Sequence, residues 1–201
     1  GVTSVTIPQD VHDIPRCAFD GCRDLSEVAF KSKNHLVRIG ERAFSETGLR
    51  EFCAPESMRF VEKQAFCNCS ALGSVHLGAS VRVLGQSCFQ RSGLRVIAVP
   101  NSVGVLRGWT FSDCRALEQV FFGTDSALAT IEPYCFSGSG LRAFVAPKLL
   151  RVIRESAFCQ CRQLSLVRLN SGLKVLERRC FQETLLKEVT IPESVLEVQL
   201  Y

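Results

Sequence analysis

Apolar and polar residues recur along the chain with a period of 22 to 25 residues. In every period a Phe is preceded by one apolar residue five positions earlier and by another eight positions earlier. Self-similarity at a spacing of about 20 to 50 residues is typical of repeat proteins. The pattern therefore predicts eight stacked units, marked by Phe19, Phe44, Phe66, Phe89, Phe111, Phe136, Phe158 and Phe181.

A short alternation of apolar and polar residues follows each of these Phe residues. The segment from Leu72 to Leu77 is an example, and its period of two is typical of a β-strand. Several of these segments end at a Pro, which cannot donate a hydrogen bond to a sheet. One strand in each unit leaves too little chain for a hairpin and a helix. We therefore expect a coil that advances by one parallel strand per turn, at a spacing of about 4.8 Å.

The units alternate between two types. Odd units carry Cys three residues after the Phe, whereas even units carry Ser or Thr there and reach their next Leu one residue sooner. An offset of 92 residues superimposes the first four Phe positions on the last four without a gap. The repeats therefore come in pairs, and the pairs form two copies of a four-unit module.

The repeated pattern resembles that of the BspA-type leucine-rich repeats. The resemblance rests on the segment from Leu36 to Phe44, continued by the type of segment found from Phe66 to Val75, and it covers all 201 residues. It implies an α/β-type solenoid with a parallel sheet on one face, one short strand per turn of 22 to 25 residues, and short helical or irregular turns on the other face. Residues 1–201 are then one solenoid domain. The Gly after the buried Ile of this pattern is retained at Gly40 and Gly85 but replaced in the other units.

Composition excludes several classes of protein. The chain is 46% hydrophobic and 22% charged, which argues against disorder, and its apolar runs are too short to span a bilayer. The net charge of +4 is spread evenly, so nucleic acid is not an expected partner. Because both ends, including residues 195–200, still have repeat character, we expect the natural protein to continue beyond one or both of them.

The 11 Cys residues are expected to be free thiols. Along the column three residues after Phe, successive Cys residues lie two turns apart, about 9.5 Å, which exceeds the roughly 7 Å limit for a disulfide. The two CxC pairs are too tightly spaced for an ordinary zinc site, and no metal or cofactor is predicted. Only a bridge between Cys17 and Cys22 stays open. Free thiols favour a reducing compartment such as the cytoplasm, whereas the resemblance to surface adhesins favours the cell surface.

No motif for nucleotide binding, metalloprotease, hydrolase or calcium chemistry occurs in the chain. One pair resembles a catalytic dyad, because the register places Cys53 about 5 Å from His76 on adjacent strands, with Glu51 in the neighbouring row. No third member or oxyanion cleft accompanies this pair. We therefore predict no catalytic residues and no enzyme.

The two outward positions of each strand predict where a partner would bind. Around the middle of the chain these positions are mostly apolar, and exposed apolar patches commonly mark interaction sites. Two alternatives stay open: the face is covered by another part of a longer chain or by a second copy, or the facing is wrong by one residue. The candidate residues are Val96, Ala98, Gln119, Phe121, Val145, Leu166 and Arg168.

These observations predict a non-catalytic interaction module that presents an extended repeat surface to a protein partner. The family resemblance adds cell-surface adhesion as its setting. The alternative is an intracellular structural or assembly scaffold, which the free thiols favour. The sequence leaves open whether the partner is a protein or a glycan.

Overall fold

The computed structural model describes residues 1–198, which form a coil of about eight turns, with one of the marker Phe residues in each turn. Short parallel strands build the coil. In chain order they are β1 Ser4–Ile7, β2 Asp13–Ile14, β3 Glu27–Phe30, β4 Arg38–Ile39, β5 Glu51–Cys53, β6 Phe60–Val61, β7 Ser74–His76, β8 Val83–Leu84, β9 Val96–Val99, β10 Val105–Leu106, β11 Gln119–Phe122, β12 Thr130–Ile131, β13 Ala143–Val145, β14 Val152–Ile153, β15 Leu166–Arg168, β16 Val175–Leu176 and β17 Glu197–Val198.

Two sides of the coil are β-sheet. The odd-numbered strands up to β15 lie on the first side, and the even-numbered strands together with β17 lie on the second. The predicted parallel sheet on one face is confirmed, and irregular turns are present. The prediction of one strand per turn is wrong, because each turn has two strands, and the helical turns are not found, because residues 1–198 contain no helix. Every strand of the second side is two residues long, too short for an apolar alternation to reveal it. Strand β17 continues the repeat as expected, and residues 199–200 of that segment lie outside the described part.

The marker Phe rings form a continuous stack through the core. Neighbouring ring centroids lie 5.2 to 5.8 Å apart, and the ring planes differ by at most 22°. The six inner rings are fully buried, whereas Phe19 and Phe181 at the two ends are partly exposed. The predicted placement of equivalent aromatic rings above one another is confirmed.

The turns that carry the Phe residues form the third side of the coil. Their backbone N–H groups donate to carbonyl oxygens of the next turn, as those of Arg42, Phe44 and Glu46 do at 2.9 to 3.1 Å. The residues two before and two after each Phe have φ between 54° and 73°, and 14 of these 16 positions are not Gly. Left-handed backbone costs a non-glycine residue about 1 to 2 kcal/mol. Hydrogen bonding between turns and burial of the intervening Phe must offset that cost.

Even turns draw the chain closer to the preceding turn. Four residues after the Phe they carry Gly48, Gly93 or Gly140, where a Cβ atom would overlap a backbone carbonyl oxygen of the turn before. The eighth turn has Leu185 at this position instead. On the first side the ladder is continuous only within the pairs β1–β3, β5–β7, β9–β11 and β13–β15. The one-residue shortening of even turns therefore coincides with the breaks in this sheet.

Candidate binding surface

The exposed side chains of the first side form what we name the strand face. On β9, Val96 and Ala98 are exposed while Ile97 and Val99 are buried, so alternate residues face outward. In the register between β9 and β11, Ala98 lies opposite Phe121. The outward positions of successive strands consequently form two columns that run along the coil.

Five residues of these columns form what we name the apolar patch. All are exposed, with exposed fractions of 42% at Val96, 54% at Phe121, 57% at Val145 and 43% at Leu166. Ala98 completes the patch and is also exposed. These side chains therefore face outward as the sequence predicts, and the alternative that is shifted by one residue does not apply. The binding role of the apolar patch stays a prediction.

Polar groups border the apolar patch. Gln119 and Arg168, the remaining candidate residues, are exposed on β11 and β15. Immediately before β11 and β13, Glu118 and Arg142 form an ion pair across the two turns, with an N–O distance of 3.2 Å. All seven candidate residues thus lie on one face of four successive strands, with a charged pair along one border.

The N-terminal half of the strand face is polar. A groove of about 900 Å³ lies where the sheet is open between β3 and β5. Glu27, Arg50, Glu51 and Cys53 contribute to its walls. The strand face therefore divides into a polar half and an apolar half.

The structure pairs Cys53 and His76 in register on β5 and β7, and both side chains are exposed. Among the described side chains no hydrogen bond joins this thiol to the imidazole. Within residues 1–198 no group of three or more His, Cys, Asp and Glu side chains could hold a metal ion. No described helix is long and apolar enough to cross a membrane.

Solved structures with the same fold come from several bacteria. A leucine-rich repeat protein from Bacteroides ovatus is 19% identical, with a TM-score of 0.63, and the match covers 99% of this chain and 74% of that one. The pneumococcal vaccine antigen PcpA is 21% identical at a TM-score of 0.63, with 96% and 57% covered. A leucine-rich cell surface protein from Faecalibacterium prausnitzii is 23% identical at 0.54, with 96% and 68% covered. At these identities the likeness shows the fold alone. No curated protein matches the chain.

The sequence profile of the BspA type leucine-rich repeat region matches residues 1–118 and 97–201, in six copies. The chain belongs to the BspA-type leucine-rich repeat family. Its matched segments cover the whole coil, including all strands of the strand face.

A side-chain contact between successive leucine-rich repeats explains the alternation of Cys with Ser or Thr. The hydroxyl oxygens of Thr47, Ser92 and Ser139 each lie 3.3 Å from the Sγ of the Cys three residues after the next Phe. Each of those thiols in turn donates at 3.0 Å to the carbonyl oxygen of the marker Phe one turn earlier, which is Phe44, Phe89 or Phe136. Odd and even repeats are thus joined by a hydroxyl–thiol contact inside the core, and the thiols involved are Cys69, Cys114 and Cys161.

All 11 thiols of the leucine-rich repeats are free. The prediction of free thiols is confirmed, and the open bridge between Cys17 and Cys22 does not form. Burial raises the pKa of Cys114 and of Cys161 to about 11, and that of Cys180 to about 12. Such thiols stay protonated at neutral pH and pack as small core residues.

Sequence reasoning missed a second exposed aromatic feature of these repeats. Trp109 and Tyr134 stack on the third side, with ring centroids 5.4 Å apart and planes 5° apart. Both hold left-handed backbone, and Trp109 is 37% exposed. Each lies two residues before a marker Phe, in successive turns, so stacking of equivalent positions could have predicted this contact from the sequence.

Proposed function

We propose that this chain is a non-catalytic protein-interaction module and that the strand face, centred on the apolar patch, is its contact surface. The observation that carries the proposal is the exposure of four large apolar side chains on neighbouring strands. Soluble proteins rarely expose contiguous apolar side chains without a binding role. Phe121 at the middle of the patch is the aromatic anchor, because buried aromatic residues supply much of the free energy at protein interfaces.

The polar border supports the same function. Arg168 and the pair of Glu118 with Arg142 lie at the edge of the apolar patch, and Gln119 lies beside Val96 within it. Protein interfaces combine an apolar centre with a polar rim in this way. Charged groups at the rim affect orientation and association rate more than affinity. The apolar patch therefore supplies binding free energy, and its border selects the partner.

A cell-surface setting is part of the proposal. One similar structure is described as a leucine-rich cell surface protein and another as a pneumococcal vaccine antigen. Adhesion to a partner outside the cell is the role that accords with such proteins. Both of those proteins are longer than this chain, which matches 57% of the antigen and 68% of the cell surface protein.

Capture with variants tests the contact surface. The wild-type chain, Phe121→Asp and Leu149→Asp are immobilised and exposed to cell-surface and cytoplasmic extracts, and captured proteins are quantified by isotope-labelled mass spectrometry. Leu149 is the matched control, because it is 46% exposed in the turn between β13 and β14, off the strand face. We expect a protein that binds wild type and Leu149→Asp equally and binds Phe121→Asp at least about tenfold less, a difference of about 1.4 kcal/mol. Equal capture by all three would exclude the apolar patch.

A second candidate function is an intracellular structural or assembly scaffold. It is favoured by the free state of every thiol, including the exposed Cys17 and Cys53, because reducing compartments keep thiols free. The extracts separate the two settings, since a partner found only in the cytoplasmic extract supports the scaffold.

A further inference from the structure

We infer that the apolar patch joins two copies of this chain through a twofold axis that runs parallel to the strands, between β11 and β13. The inference rests on the proposed function, because it names the partner of the same strand face. The side chains that the axis brings together and the charges around them support it.

The strand face leaves the apolar patch open to a second copy. Val96, Phe121, Val145 and Leu166 are all exposed, one on each of four successive strands of the first side. The ladder of the first side is interrupted between β11 and β13, whereas on the second side β10, β12, β14 and β16 form one continuous sheet. The second side therefore holds these turns in line, and the apolar patch stays available for contact with another molecule.

The proposed axis places the large apolar side chains of the apolar patch against one another. Rotation about an axis parallel to the strands reverses the order of the strands but keeps each residue's position along its strand. Strand β11 then meets β13 of the second copy, and β9 meets β15. In consequence Phe121 packs on Val145 of the second copy and Val96 packs on Leu166 of the second copy. Each contact occurs twice, as twofold symmetry requires.

The same rotation brings opposite charges together. Glu118 of one copy faces Arg142 of the second copy, and the two intrachain pairs combine into one cluster of four alternating charges. Of the remaining charged groups along this border, Arg95 faces Ser165 and Arg168 faces Ala98. No like charges lie directly opposite one another. An isologous contact is stable only when a surface is complementary to itself, and this face meets that requirement.

A twofold axis along the coil lacks this complementarity. It would keep the order of the strands and reverse each strand, so that Phe121 would face Gln119 and Leu166 would face Arg168. Apolar side chains would then bury polar ones without hydrogen-bond partners, which costs free energy. The axis parallel to the strands also places Gln119 against Ala143 and Arg168 against Ala98, so the choice rests on the charges: only this axis sets Glu118 opposite Arg142.

The size of the contact predicts a weak dimer. Overlap of about six strand positions at about 4.8 Å, with a width of about four residues at about 3.3 Å, covers roughly 380 Å² of each copy in projection. Stable protein interfaces bury about 800 Å² on each side, whereas transient ones bury less. We therefore expect reversible association with a dissociation constant between about 1 µM and 1 mM.

Sedimentation equilibrium of the purified chain tests the inference, over concentrations from about 0.5 µM to about 2 mM that bracket this range. We expect the average mass of wild type and of Leu149→Asp to rise from one towards two protomers. Phe121→Asp should stay monomeric throughout. Circular dichroism of each variant verifies that the exposed substitution leaves the fold intact.

A charge-swap mixture tests the specific axis. In Glu118→Lys residues 118 and 142 are both basic, and in Arg142→Glu they are both acidic. Like charges then face one another across the twofold axis, so each variant alone should associate at least about tenfold more weakly than wild type. An equimolar mixture should form a heterodimer, because every opposed border charge is then complementary. A structural effect of breaking the intrachain pair would weaken the mixture as much as the separate variants.

The outcomes separate this inference from the proposed function. Wild type that stays monomeric at every concentration overturns the inference. So does a mixture that associates no better than its components. In both cases the capture experiment with Phe121→Asp still decides whether the strand face binds a different protein.

Discussion

Removal of one central ring from the Phe stack tests the physical basis of the coil. Phe111 is fully buried and stacks on Phe89 at 5.8 Å and on Phe136 at 5.3 Å. Substitution of a buried Phe by Ala costs about 3 to 5 kcal/mol through lost burial and the cavity that is left. Each aromatic contact adds about 0.5 to 1.5 kcal/mol beyond burial. We therefore expect Phe111→Ala to lower the free energy of unfolding by at least about 4 kcal/mol, a large part of the stability of a domain.

Phe19→Ala is the matched control, because Phe19 is partly exposed and stacks on Phe44 alone. Its loss should be about half as large. Urea unfolding followed by circular dichroism measures both variants. In a repeat array each turn contacts only its neighbours, so Phe111→Ala should also broaden the transition by uncoupling the two halves. Equal losses for the two variants, or a loss below about 1 kcal/mol at Phe111, would refute the account of the stacked core.

Further predictions concern the even turns and the buried thiols. Gly93→Ala should lower the free energy of unfolding in urea by more than about 2 kcal/mol, because its Cβ would overlap the carbonyl oxygen of Ser70. Gly73→Ala is the control: its Cβ would make only an ordinary contact, so its effect should be close to zero. Burial raises the pKa of Cys114 and of Cys161 from the ordinary thiol value of 9.0 to about 11. These two thiols therefore leave the free energy of unfolding unchanged below pH 9.0 and lower it as the pH rises to about 11. The free energy of unfolding should fall by up to about 1 kcal/mol per pH unit for each thiol. Cys114→Ser removes one of the two thiols, so the difference between unfolding measured at pH 8 and at pH 10 should be smaller in this variant. A pH-independent stability up to pH 10.5 would contradict the burial of these thiols.

Much of the core could be predicted from the sequence because its signals are local and repeated. The stack of Phe rings follows from a constant spacing, and the outward facing of Val96 and Phe121 follows from an alternation of period two. Free thiols follow from the odd–even register. Each of these inferences needs only the assumption that successive turns stack in parallel.

The remaining features depend on contacts between turns that no single turn reveals. Strands such as β6, Phe60–Val61, contain one buried residue and one half-buried residue, so they have no period to detect. The left-handed positions were missed because residues such as Arg42 and Trp109 occupy them, although Gly is the residue that usually marks such backbone. Hydrogen bonding to the next turn, rather than intrinsic preference, determines the conformation there.

The two sides of sheet differ in what they contribute. The second side is continuous from β10 to β17 and carries few exposed apolar residues, so its ladders hold the turns in register. The first side is interrupted after each pair of strands, and it carries both the polar groove and the apolar patch. Because register is maintained by the second side and by the Phe stack, outward residues of the first side can vary without loss of the fold. A surface that varies freely on a constant core is what a binding module requires, and it explains why the pattern in the sequence predicts the coil more readily than the partner.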